Sequence, residues 1–165
     1  GVYPTEEMYQ NAVRLVTFPY VRHDPNVKVY DAELRDAMDE RKREFGAFDL
    51  LDTHDGITSE ASKSNIFFIK DGQLYTSPDE AVLMGITRMK TLESAADIGI
   101  TVHKRLIPVD ELGTFDGAFL TGTSLHLLPI HRIDEHDYQV PHPIWQAVSD
   151  QFEKKIIDEV DRSDL

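Results

Sequence analysis

The segment from Asn65 to Thr76, NIFFIKDGQLYT, constrains this chain more than any other. Two short runs rich in β-branched and aromatic residues flank Asp71-Gly72, and an Asp-Gly pair favours the two-residue turn that joins antiparallel strands. Further strands are expected at Val13–Phe18, Asp49–Asp52, Ile57–Glu60, Ile100–Arg105, Gly117–Leu120 and Leu127–Ile133, with a turn at His54-Asp55-Gly56. Helices alternate with them. Thr5-Glu6-Glu7 reads as a helix start. Asp31–Phe45 has Asp31 as N-cap, Gly46 just past its end, and Leu34, Ala37, Met38 and Phe45 on one face. A third helix spans Thr87–Asp97 and stops at Gly99, and Val109–Leu112 forms one helical turn. A last helix follows Pro141-His142-Pro143 to about Val160, with Ile144, Val148, Phe152 and Ile156 as its packing stripe. Interleaved strands and helices predict a mixed α/β domain.

Charge narrows the function. Thirty acids against 17 bases give a net charge of −13, which argues against a nucleic-acid binder or an anionic membrane surface. No apolar run is long enough for a transmembrane helix, and the polar, acidic first residues show no signal peptide. A cytoplasmic protein is the expectation. There is no cysteine, which removes thiolate ligands and nucleophiles. The seven histidines lack ligand spacing, and no G-x-S-x-G elbow is present.

Two places suit an anion. In Leu83-Met84-Gly85-Ile86-Thr87, Gly85 allows close backbone approach and Thr87 can cap the helix that follows, so N–H groups and the positive helix end point at the loop. The alternative is an ordinary capped helix. Thr121-Gly122-Thr123-Ser124 clusters hydroxyls at a strand end, or forms a plain turn. Glu60 follows a strand and precedes small polar residues; it is either a surface acid beside Lys63 or a buried one that needs a partner.

In combination these residues resemble the class IV aminotransferases, the fold-type-IV pyridoxal-phosphate (PLP) enzymes. The resemblance runs from about Val27 to Ile133. It is carried by Asp52, Gly56, Glu60, Ser64-Asn65, Phe67, Asp71-Gly72, the Leu83–Arg88 loop, Glu111-Leu112, Phe119–Thr123 and Pro129. Met84, Ala61 and His131 depart from the family's usual proline, glycine and valine. The resemblance implies a mixed sheet partly closed into a pseudo-barrel, with helices outside. It implies that Lys28, 32 residues before Glu60, holds the cofactor and moves the proton at the substrate Cα. Glu60 is implied to pair with the ring nitrogen, and Leu83 to pack on the ring. Gly85, Ile86 and Thr87 would form the phosphate cradle, with Thr123 as a second phosphate contact. Ser124 and Leu125 would form the turn that binds a substrate carboxylate. Residues 1–26 then read as an interdomain linker and lead-in strand, and 27–165 as the PLP-binding large domain without its N-terminal small domain. The implied reaction exchanges an amino group between an amino acid and a 2-oxo acid, in a homodimer. This chain alone would keep the cofactor ligands but lack the wall that selects substrate. The alternatives are an aminodeoxychorismate-type lyase using the same Lys28 and Glu60, or a non-catalytic remnant that binds a ligand or partner.

Overall fold

The structure is a computed structural model that describes residues 3–19, 32–61, 64–82 and 85–163. Helix α1 (Glu6–Asn11) is capped by Thr5, whose hydroxyl accepts from the Met8 N–H, and leads into strand β1 (Val13–Pro19). Helix α2 (Ala32–Phe45) precedes the hairpin of β2 (Asp49–His54) and β3 (Ile57–Ala61). The hairpin of β4 (Asn65–Lys70) and β5 (Gln73–Thr76) turns at Asp71 (φ 52°) and Gly72 (φ 74°), the left-handed pair that an Asp-Gly turn requires. Helix α3 (Ile86–Asp97) follows, then β6 (Val102–Lys104) and β7 (Ile107–Pro108). A 3-10 turn, Val109–Thr114, leads to β8 (Gly117–Gly122), β9 (His126–Ile133), the short β10 (His136–Asp137) and the long helix α4 (Pro143–Ser163).

The strands form one mixed sheet in the order β6-β5-β4-β8-β9-β1-β2-β3-β7, with β10 paired to β9. Strand β9 joins the two halves. Its first residues pair antiparallel with β8 (Phe119 opposite Pro129), and its last pair parallel with β1 (Leu15 opposite Ile133). Ala61 and Ser64 make a single bridge between β3 and the start of β4. The path of strands nevertheless stays open among the described residues, so the barrel is not closed.

Alternation along the central strands divides the apolar residues between two cores. Ile66 and Phe68 of β4, Ala118 and Leu120 of β8, and Leu128 and Ile130 of β9 join Leu15, Leu51 and Leu112 between the two halves of the sheet. The opposite residues, Phe67, Ile69, Phe119 and Leu127, pack beneath α3 and α4 against Ala95, Val148 and Phe152. Phe67 and Phe119 stack with centroids 5.3 Å apart.

Three expected elements differ. The Ile100–Arg105 strand contracts to β6, because the chain leaves β5 and Ile107 crosses to pair with Thr58 of β3. The Gly117–Leu120 strand continues to Gly122, which pairs with His126, so Thr121 belongs to the strand rather than to a turn. Helix α2 was expected to bury one apolar face, yet none of its residues is buried. Its contact with the sheet is polar-aromatic instead: the Arg14 and Arg41 guanidinium groups both stack on the Phe45 ring, and Arg41 Nε donates to the Thr17 carbonyl (3.0 Å).

Candidate functional site

Three segments converge on one cleft: the end of β3 with the start of β4, the start of α3, and the end of β8. Glu60 and Asn65 line it from the first, Gly85 and Thr87 from the second, and Thr121 and Thr123 from the third. Lys28 and Leu83 lie outside the described residues.

Glu60 reaches the cleft through an irregularity in the β2–β3 ladder. Leu51 pairs with Ala61 and Thr53 with Thr58, so Ser59 and Glu60 together oppose the single residue Asp52. Such a bulge bends the strand and re-aims its side chains. Asn65 Nδ2 donates to Glu60 Oε2 (3.2 Å), which orients the carboxylate. Asp52 is the neighbouring acid. Burial, followed by the charges of Asp49 and Glu60, pushes its carboxyl up from 3.8 to about 6. Its Oδ1 is buried with no hydrogen-bond partner among the described residues.

Helix α3 begins one residue earlier than expected. Gly85 (φ −76°, ψ 146°) is the N-cap, and it has no side chain to bond the first-turn N–H groups. Thr87 is therefore not the cap; it lies within the first turn and is buried. The first-turn N–H groups of a helix have no carbonyl partner within it, so those of α3 are available to an acceptor from outside the helix. A Cβ on Gly85 would lie 3.2 Å from Asn65 Oδ1, so a larger residue there would press on the Asn65 amide. The Ile86 side chain is 70 % exposed and lines a neighbouring groove rather than this cleft.

Arg88 fixes the helix start. It is fully buried, and it donates to Asp79 Oδ1 (2.7 Å) and to the Ser77 carbonyl (2.7 Å). The Arg88 and Lys104 hydrogen bonds hold the Asp79 carboxyl below the usual carboxylate range.

Thr123 and Ser124 form the turn after β8. Leu125 completes it by donating its N–H to the Gly122 carbonyl (3.1 Å), its side chain lies in the core, and its carbonyl accepts from the Tyr9 hydroxyl (2.6 Å). The Leu125 N–H is thus already engaged within the turn. Asn65, Thr121 and Arg88 gained no role from sequence. A buried asparagine heading an otherwise apolar strand was the available signal for the first; Thr121 needed the strand register.

An open mixed sheet with α3 and α4 packed on one face, and the start of α3 sharing a cleft with Glu60, define a mixed α/β domain. A similar arrangement of the chain is found in the T.th. branched-chain amino acid aminotransferase solved with pyridoxamine 5′-phosphate. The TM-score is 0.77 at 26 % identity, covering 93 % of this chain and 53 % of that one. The branched-chain-amino-acid aminotransferase of Pseudomonas aeruginosa is 34 % identical over 142 residues, 81 % of this chain and 46 % of the relative. The D-alanine aminotransferase of Bacillus licheniformis is 28 % identical over 160 residues, 93 % of this chain and 56 % of the relative. Residues 2–133 match the family model of amino-transferase class IV. This chain belongs to that family, and it spans about half the length of these relatives.

Proposed function

We propose that this chain is the pyridoxal-phosphate-binding domain of an aminotransferase that exchanges an amino group between an amino acid and a 2-oxo acid. The observation that carries the reading is the meeting of Glu60 and the α3 N-terminus in one cleft. The donor set suits the cofactor. The side-chain-free cap at Gly85 leaves backbone donors for a phosphate, and Asn65 holds a carboxylate at a distance from them.

When bound, the cofactor supplies an electron sink for the charge left when the substrate Cα loses its proton. The chain's residues do the rest. The Ile86 and Thr87 N–H groups and Thr123 grip the phosphate. Glu60 holds a proton on the ring nitrogen. The Lys28 amine would anchor the cofactor and then act as the base and acid that moves the proton between the substrate Cα and the cofactor's C4′. Leu83 would pack on the ring, and the Ser124–Leu125 turn would receive the substrate carboxylate. The cofactor domain takes in β1 together with residues 27–165, and pairing with a second copy completes the assembly.

Titration with pyridoxal phosphate should produce visible absorbance. Borohydride reduction should then fix the cofactor to Lys28 by mass mapping, and Lys28→Ala should abolish both signals. Absence of any spectral change in the wild type would overturn the reading.

A further inference from the structure

We infer that Thr121 is a phosphate-binding residue of this cleft, its hydroxyl donating to a phosphate oxygen of the bound cofactor. The inference rests on the pyridoxal-phosphate reading and extends it by one residue. Thr121 is 1 % exposed, and its Oγ1 is buried with no hydrogen-bond partner among the described residues. Other buried threonines are satisfied: Thr58, Thr76 and Thr91 each donate to a carbonyl at 2.7–2.8 Å. Buried hydroxyls without a partner are rare and costly, and valine would fill the same volume without that cost.

The register fixes which way Thr121 points. It pairs with Asn65 of β4, and directly opposed residues on neighbouring strands share a face. That face also carries Phe67 and Phe119, which pack beneath α3 and α4. Thr121 therefore stands on the α3 side of the sheet and lines the same cleft as Gly85 and Thr87. Glu60 already has a donor in Asn65. The group still needing donors in this cleft is an anion at the α3 N-terminus, and a hydroxyl beside it supplies one.

The test compares affinities of the wild type, Thr121→Val and Thr121→Ser for pyridoxal phosphate and for pyridoxal, which lacks the phosphate. Melting of the ligand-free proteins is measured alongside. Thr121→Val should weaken pyridoxal phosphate about tenfold, the loss of roughly one charge-assisted hydrogen bond. It should leave pyridoxal unchanged and keep or raise the ligand-free melting temperature. Thr121→Ser should bind both ligands like the wild type. Unchanged pyridoxal-phosphate affinity in Thr121→Val, or an equal loss for pyridoxal, would overturn the inference while leaving the cofactor reading intact. Should Thr121→Val fail to fold, the same ratio of affinities in Thr121→Ala decides. A wild type that binds neither ligand would overturn both.

Discussion

Asp52→Asn should stabilise this protein, and only above a definite pH. The wild-type carboxyl sits opposite Glu60 at the bulge, near Asp49, with one buried oxygen that no described residue bonds. Its pKa rises from 3.8 to about 6 on folding. Below about pH 4 the proton is bound in both folded and unfolded chains, and the site costs nothing. Between about pH 4 and 6 the unfolded chain releases the proton first, so stability falls as pH rises. Above about pH 6 the whole penalty is present. At about 1.4 kcal/mol per pH unit the difference has a ceiling of about 3 kcal/mol. Asp52 is only half-buried, and solvent screening brings the expected value down to about 1 kcal/mol. Urea unfolding of both proteins from about pH 4 to pH 8 isolates the effect as a difference. The gain should be near zero at about pH 4 and about 1 kcal/mol at pH 7–8, or about 2–4 °C in melting temperature. A constant difference across that range, or a loss of stability at the alkaline end, would refute the electrostatic argument.

Arg88→Ala should cost about 3 kcal/mol in urea unfolding, since it removes two bonds from a buried guanidinium and leaves the Ser77 carbonyl without its donor. Phe119→Ala should cost about 3–5 kcal/mol by the same assay, because it opens a cavity against Phe67 beneath the helices. Asn65→Leu keeps the volume but removes the amide that donates to Glu60. Pyridoxal-phosphate affinity should fall about tenfold with the far-ultraviolet circular dichroism unchanged, and an unaltered affinity would remove Asn65 from the site.

Local chemistry was legible before the fold was known. Asp71-Gly72 and Asp55-Gly56 both adopt the paired positive φ values their sequence demands. Val148 and Phe152 are buried, as their spacing on α4 requires. Long-range pairing was not legible. Nothing in VRLVTF states that it lies between β9 and β2, parallel to both. The early end of β6 follows from a partner 49 residues away, where Thr58 bonds the Ile107 carbonyl. Helix α2 misled because Phe45 reads as core, whereas two arginines cover its ring. In the cleft, Glu60 and the Gly85–Thr87 loop could be recognised from motif and spacing. The part of Asn65 could not, since it depends on a chain reversal at Ala61 and Ser64 that brings the amide back to the acid.

Strand β9 has a consequence for how the molecule comes apart. Either half of the sheet can peel from its outer edge, at β6 or at β7, but β9 cannot let go of one neighbour without loosening the seam that holds the other. Leu128 and Ile130 are fully buried at that seam. Their amide hydrogens should exchange only through complete unfolding and at one common rate, whereas edge-strand amides escape sooner through partial openings.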